Sequence, residues 1–512
     1  MLSYLVLIVL AAPIVYLLLL YQFSYWKRHG IPQLGPSLAF GDIGQLVRQQ
    51  YCIGEMFGKL YEKCKQLPFV GVYVSFRPAL MVNDTELIKD ITVRDFDHFH
   101  DRGLHVNEQK DPLSGHLFAL GGEKWRDHRA KLTPTFTSGR LKEMFPIMLE
   151  IGQVLQDHVG KRVHTEKVLE MREVMARFTT DVIASVGFGI KIDSINDKNE
   201  TFREMGIRVF AHTLKNMLRL GSTIFTPKMN AIFGFKFVDQ EVEDFMISIV
   251  RDTLEYREKN NVIRKDMMQL LLQLRNRGTV SYDEQWDASP TSAAKHISLE
   301  QVTAHAFVFF VAAYETSSTA MSFCLYQLAK NPHVQEKVHA EIDRILAKNQ
   351  GKLTYNTLTE MKYLEGCIDE TLRMYPSLPF LNRECNKAYK LPGTDHTIPK
   401  GTPVIIPIMG IHRDPDLFPE PEKFIPERFQ DEQLYTSDAY LPFGIGPRIC
   451  IGMRMGKVQT KVGLAMLLSK FNFRLTDEKQ KNQELQLDPR SVILMPVGGI
   501  HLAVTERGVK NA

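Results

Sequence analysis

Cys450 lies in the run Phe443-Gly444-Ile445-Gly446-Pro447-Arg448-Ile449-Cys450-Ile451-Gly452, flanked by glycines, two residues after an arginine and just ahead of a helix-forming sequence. Gly444, Gly446 and Gly452 permit tight backbone geometry and close approach. The N-terminus of the following helix offers unpaired N–H groups that stabilise an anionic sulfur, and Arg448 adds a fixed positive charge. A thiolate held in this way suits a haem iron, where sulfur pushes electron density toward the metal and favours O–O cleavage. The alternative is a buried, inert cysteine in a glycine-rich turn. The remaining cysteines, Cys52, Cys64, Cys324, Cys367 and Cys385, show no CxxC pair and no zinc-like spacing. Their low density argues against a disulfide framework and for a reducing compartment.

A second group of chemically able residues is Glu315 and Thr316, within Ala312-Ala313-Tyr314-Glu315-Thr316-Ser317. An acid and a hydroxyl in the middle of an apolar helix are costly unless they meet partners or water. A helical threonine also bonds back to the carbonyl one turn earlier and bends the helix. The plainer reading is a threonine satisfied by its own helix beside a surface glutamate. Glu370 and Arg373 are neighbours on one helix face at i and i+3, a spacing that on its own describes an ordinary surface pair. Trp125 and Arg129 stand one helical turn apart, each with N–H donors for an anionic oxygen.

These residues need elements to hold them. Ser298 and Gln301 form a capping box, apolar residues run from Val302 to Leu328, and Asn331-Pro332 ends the helix. About thirty residues at 1.5 Å each give a rod of roughly 45 Å, long enough to cross a domain. The polar stretch from Gly278 to Lys295 before it is predicted to be an exposed loop. The alternation of residues 70–82 predicts a β-hairpin, and further strands are predicted at Val404–Pro407 and Ile493–Val504. Elsewhere the pattern is helical.

The chain has 512 residues, 44% of them hydrophobic, enough for one large core. No repeat, low-complexity linker or charge block divides it beyond the N-terminal segment. The net charge of +4 describes no generally cationic protein, and no nucleic-acid partner is expected. Leu2 to Tyr21 is apolar and uncharged, about the 20 residues needed to cross a bilayer. Tyr21, Tyr25 and Trp26 are predicted to form an aromatic belt, and Lys27-Arg28-His29 behind them places the rest of the chain in the cytosol. A cleaved signal peptide is disfavoured, since no basic region precedes the run and no small-x-small site closes it. The organisation expected is a membrane anchor at 1–26, a basic, proline-containing hinge at 27–40 and a catalytic domain at 41–512.

The cysteine loop resembles the haem-binding loop of the cytochrome P450 superfamily, F-x-x-G-x-R-x-C-x-G, at every fixed position. Other elements appear in the family's order: the WxxxR of Trp125 and Arg129, the helix motif at 312–317, the ExxR of Glu370 and Arg373, and the PERF run ending Pro426-Glu427-Arg428-Phe429. The resemblance covers residues 32 to 454. It implies a mainly α fold with a minor β region, preceded by one transmembrane helix. It implies haem b bound with Cys450 as the metal ligand, Phe443 against the porphyrin, and Trp125, Arg129, Arg383 and Arg448 on the propionates, with Arg102 as a further candidate. By the same resemblance Thr316 manages dioxygen while Glu315 connects a proton relay to water. Ala313 stands where glycine is usual, and its methyl narrows the groove. Glu370, Arg373 and Arg428 are implied to form a buried structural charge network. Asp111-Pro112-Leu113-Ser114, Pro134-Thr135-Phe136 and the helix from Gly452 to Phe471 look like insect microsomal members that oxidise xenobiotics; Met455 replaces their usual phenylalanine.

The function so implied is monooxygenation of apolar small molecules, plant toxins or insecticides among them, with electrons from NADPH through a flavoprotein reductase and with cytochrome b5 as a further partner. The expected location is the endoplasmic reticulum membrane. Two alternatives stay open: oxidation of an endogenous lipid or hormone by the same chemistry, and a reductase-independent hydroperoxide isomerase. The substrate is expected at Ala312 and Val308, at i−4 and i−8 from Thr316 on one helix face, with Phe118, Leu378 and Val497 closing the pocket. Arg126, Lys131, Arg140, Lys142, Arg454, Lys457 and Lys461 are expected to form the reductase-docking patch.

Overall fold

The structure, a computed structural model, describes residues 2–197, 200–280, 286–290, 297–430, 437–477, 479 and 483–508, with the backbone alone at 2–11, 225, 228 and 229. The central helix runs from Leu299 to Lys330. Its start is fixed by reciprocal hydrogen bonds: Gln301 N–H donates to Ser298 Oγ at 3.2 Å and Ser298 N–H to Gln301 Oε1 at 3.3 Å. Its end is fixed at Asn331, where Pro332 opens the next helix, Pro332–Lys348. The helix is apolar nearly all round because other helices wrap it. It is long and apolar enough to span a bilayer, yet it is mostly buried inside the protein.

Helices Met171–Ile183, Lys362–Met374 and Met453–Lys470 pack against it. Close approach depends on Gly463, where an added Cβ would fall 2.5 Å from Met321 Sδ. Phe202 meets Phe310 edge-on, with ring centroids 4.9 Å apart, and each such buried ring contributes about 1.5–3 kcal/mol. The part of the 278–295 stretch that the structure describes departs from an exposed loop. Trp286 is buried, and the Arg140 guanidinium lies 4.2 Å above its ring. One large aromatic side chain outweighs the polar residues around it. Positions 281–285 and 291–295 lie outside the described residues.

A four-stranded sheet flanks the helices, in the order β1 (Phe69–Val74), β2 (Arg77–Val82), β7 (Pro403–Ile406), β4 (Leu381–Glu384). The β1–β2 pair is the hairpin expected from the alternation, with Phe69 opposite Val82. A second sheet joins β3 (Val168–Glu170), β9 (His501–Glu506) and β8 (Phe471–Leu475), and a third pairs β5 (Tyr389–Lys390) with β6 (Thr397–Ile398). The last strand is thus shorter than the predicted Ile493–Val504. Gly498 and Gly499 take φ of +74° and +84°, and two left-handed residues in a row break the extended run.

The N-terminal helix Leu2–Phe23 is followed by a short helix, Tyr25–Arg28. Trp26 does not belong to an aromatic belt. It is buried against β1, where its Nε1–H donates to the Val72 carbonyl at 3.2 Å. Hydrophobic burial of the large ring outweighs an interfacial position. Phe23 packs edge-on to Tyr73 at 5.1 Å. The following segment is strapped to the same strand, with Gly71 N–H donating to the Pro32 carbonyl at 2.8 Å.

Candidate active site

The cysteine loop is shaped by two left-handed glycines, Gly444 at φ +72° and Gly446 at +75°. At Gly446 a Cβ would lie 2.0 Å from the Thr92 carbonyl oxygen, so no larger residue fits. The loop closes on itself: Cys450 N–H donates to the Phe443 carbonyl at 2.9 Å, and Ile449 N–H to that of Gly446 at 2.9 Å. Gly452 then caps helix Met453–Lys470. Among the six cysteines, Cys450 alone is exposed. Burial nevertheless pushes its thiol above the ordinary value, against the Gly452 N–H and the charges of Arg129 and Arg102. Both observations hold together for a side chain on the wall of an internal cleft, surrounded by protein yet reachable. A bound cation would reverse the direction, since a coordinating thiol is deprotonated outright.

Four arginines share this cleft. Arg448 lies 4.0 Å above the Trp125 ring, and its guanidinium donates to the His100 and Leu120 carbonyls at 2.8 and 2.7 Å. Arg383 is fully buried, with Nε and Nη2 lacking partners among the described residues; Nε of Arg102 lacks one too. Burial and the Arg448 charge push Arg383 down to about 9. Burial and the Arg102 charge push Arg448 down to about 8. Arg102 is held well below its ordinary value by burial and then by Arg383, and burial lowers Arg129. Among the described residues, the one carboxylate they meet is Asp101, 3.7 Å from Arg448 Nη2. Crowded guanidinium groups with unsatisfied N–H donors favour an anionic ligand with several oxygens. The two propionates of haem fit that demand, and the thiol fits its iron.

Above the cleft the central helix turns an open face. Ala312 is exposed, and Val308 and Thr316 are half-buried, whereas Phe307, Phe310, Tyr314 and Glu315 are buried. Phe118 is joined to the arginines through Arg102, whose guanidinium lies 4.1 Å above its ring. Leu378 is half-buried beside Ser377, whose hydroxyl reaches the Thr316 carbonyl at 3.4 Å. Val497 is half exposed on the turn that precedes β9.

The Thr316 hydroxyl donates to the Ala312 carbonyl at 2.6 Å. Glu315 is not the surface glutamate of the plainer reading. Its side chain is 1% exposed, and its Oε1 accepts from Arg172 Nη2 at 2.6 Å. Successive helix positions point about 100° apart, so the acid faces helix Met171–Ile183 while the hydroxyl faces the cleft. Arg172 is a partner the sequence hides: 143 positions separate it from Glu315, and nothing local marks that arginine.

Glu370, Arg373 and Arg428 come together in the core. Arg373 Nε and Nη2 donate to Glu370 at 2.8 and 3.0 Å, both side chains being fully buried. Arg428 Nε adds a contact at 3.3 Å and Ile425 N–H one at 3.0 Å. The remaining Arg373 donors reach the His412 and Pro421 carbonyls at 2.7 Å each. This is no surface pair.

The expected docking patch needs correction. Arg140 is buried under Trp286, and Lys461 is buried with Glu365 at 3.3 Å. Lys457 packs against Asp369 at 2.9 Å. Arg126 pairs with Asp97, and Lys131 with Asp127 at 2.8 Å. Lys142 and Arg454 are exposed. Apolar neighbours and carboxylates across helix interfaces, invisible to a charge count, take Arg140, Lys457 and Lys461 from the free surface, while Arg126 and Lys131 stay at the surface in ion pairs.

The family model described as Cytochrome P450 matches residues 32–503. Among curated relatives, the chain is 41% identical over 502 residues to "Probable cytochrome P450 6d5" of Drosophila melanogaster, covering 96% of this chain and 97% of that one. It is 39% identical over 491 residues to "Cytochrome P450 6a2" of the same species, covering 94% and 95%. To "Cytochrome P450 6d3" of Musca domestica it is 38% identical over 503 residues, covering 95% of each.

Proposed function

The chain belongs to the cytochrome P450 family, and on that premise we propose that this monooxygenase is membrane-anchored and oxidises apolar foreign molecules such as plant toxins or insecticides. Bound haem b supplies dioxygen activation, one oxygen atom entering the small-molecule substrate and the other leaving as water, with electrons from NADPH through a reductase.

In this reading Cys450 would supply the thiolate ligand of the haem iron, and the closed loop fixes where that sulfur stands. Arg102, Arg129, Arg383 and Arg448, with the Trp125 N–H, would hold the propionates, and Phe443 would pack against the porphyrin. Thr316 holds a proton at Oγ1, bonded to the Ala312 carbonyl, and Glu315 is the acid that replenishes the relay. Val308 and Ala312 form the floor on which the substrate rests, with Phe118, Leu378 and Val497 around it; all are apolar, so they exclude water and select by shape. Glu370, Arg373 and Arg428 keep the domain rigid beneath the cysteine loop.

The N-terminal helix supports the anchor, because its apolar side chains from Ile14 to Leu18 are exposed and meet no protein surface. In this reading the protein sits on the endoplasmic reticulum membrane with its catalytic domain facing the cytosol, and cytochrome b5 is a second electron donor. The observation that carries the whole reading is one reachable thiol sharing a cleft with four arginines that, among the described residues, have a single carboxylate between them. The test is full-length protein reconstituted with reductase and offered plant toxins, insecticides and endogenous lipids, counting product per NADPH. Turnover of the foreign compounds is expected. Turnover of lipids alone would replace the substrate class.

A further inference from the structure

The turn that carries Val497 and the arginine that holds Glu315 are in direct contact. Met495 Sδ lies 3.1 Å from Arg172 Nη2, the same nitrogen that donates to Glu315 at 2.6 Å. The turn is fastened to the start of helix Met171–Ile183 at two further points. Ile500 N–H donates to Glu170 Oε1 at 2.8 Å, and Met171 N–H donates to the Ile500 carbonyl at 2.7 Å. Glu170 in turn caps that helix, accepting from the N–H groups of Arg172 and Glu173 at 3.0 and 2.7 Å. Gly499 sits so close that a Cβ would lie 2.6 Å from Glu170 Oε1. A displacement of the turn therefore cannot leave Arg172 in place.

We propose that Arg172 is a positioning residue that parks Glu315 away from Thr316, and that Met495 ties this latch to the turn bearing Val497, so that substrate pressing on the turn releases the acid. The inference rests on the reading of Glu315 as the acid of the relay. Arg172 suits a latch. Its guanidinium is the partner of a carboxylate that is itself 1% exposed, while Arg172 keeps 30% of its side chain accessible. It thus spans the distance from the buried acid to solvent. Burial works against its charge, but Glu315, together with Tyr314 and Glu170, offsets burial and keeps the guanidinium above its ordinary value. Its Nε finds no partner among the described residues, so the fork is held by Glu315 and the Met495 sulfur rather than by a wider network. Sulfur is a weak acceptor, so Met495 supplements the two Ile500 hydrogen bonds. Those are the stiffer tie, and they carry the start of the helix, and Arg172 with it, away from Glu315 when the turn moves. Once released, Glu315 takes a proton from water on the Arg172 side and gives one up on the Thr316 side. One proton crosses each time the acid is used, twice per turnover to match the two protons needed for the second oxygen atom to leave as water. The carboxylate is regenerated each time, and no electron passes through it.

Two measurements on the full-length protein test the latch. The first is the stimulation of NADPH consumption by substrate, with reductase present. Arg172→Gln should reduce that stimulation several-fold by raising consumption without substrate, Arg172→Lys should restore most of it, and the volume-conserving Met495→Leu should reduce it without weakening substrate binding. The second is independent of turnover: infrared difference spectra against Glu315→Gln. A carboxylate left buried without its guanidinium takes up a proton, so Arg172→Gln should show a carboxylic-acid band at neutral pH that the parent lacks. Normal stimulation in Arg172→Gln or in Met495→Leu, or no acid band in Arg172→Gln, would overturn the latch. If Glu315→Gln itself left coupling of NADPH to product unchanged, the relay reading would fall, whatever Arg172 did.

Discussion

The cleft places one sulfur and four guanidinium groups where little else is charged, and each of these groups is costly to bury alone. A dianionic, metal-bearing ligand relieves all of them at once. Cys450→Ala should therefore abolish the thiolate-type carbon monoxide band of the reduced protein, together with turnover. An intact band would end the assignment of the ligand. Much of this site can be read in the sequence because it is local: the ten residues from Phe443 to Gly452 carry the glycine conformations, the thiol and one arginine. The other three arginines, at 102, 129 and 383, come from separate segments, and they could be placed only by likeness to a family. Arg172 could not be placed at all, since its role exists only once two helices have packed side by side.

Elements are joined here by buried polar contacts as much as by apolar ones. The Glu370–Arg373–Arg428 cluster joins helix Lys362–Met374 to the segment around Pro421 and to His412. Removing one partner leaves an uncompensated buried charge, so Glu370→Ala should cost roughly 3–5 kcal/mol. Thermal unfolding and haem content would both report it, and a normally folded holoprotein would contradict the buried network. A second joint binds the N-terminal helix to the sheet. Trp26 occupies the space over Gly71, where a Cβ would lie 2.2 Å from the indole. Gly71→Ala should expel Trp26 and destabilise the domain by about 1–3 kcal/mol, the usual cost of overpacking; unaltered unfolding, with Trp26 fluorescence still that of a buried ring, would show the joint to be slack. The capping box that starts the central helix is written in four consecutive residues, and so is readable. The Trp26 seat is not, because it depends on a glycine in a strand far along the chain.

At the scale of the whole molecule the question is how electrons reach the cleft from a partner protein. Cys450 lies next to helix Met453–Lys470, and the family's acidic reductase is expected to dock near that end. Seven basic residues marked that face in the sequence, but the fold has spent several of them internally. Lys461 and Lys457 hold Glu365 and Asp369 in place, and Arg140 stacks on Trp286. Charge counting overstates such a patch because it cannot tell a lysine that ties helices together from one that faces water. The surface pairs Arg126–Asp97 and Lys131–Asp127 are weak and yield to a partner's carboxylates, since exposed ion pairs contribute about 0–1 kcal/mol. Steering therefore falls chiefly on Lys142 and Arg454. Lys142→Glu combined with Arg454→Glu should slow reductase-driven reduction of the haem on the order of 10-fold at low ionic strength, within the range of steering effects. The difference should shrink as salt screens the field, and substrate affinity should stay as it was. Lys461→Glu should act differently, lowering thermal stability through a like-charge contact with Glu365 at every salt concentration. Stopped-flow reduction across a salt series separates the two. Parent-like rates for the double variant at low salt would move the docking site elsewhere on the surface.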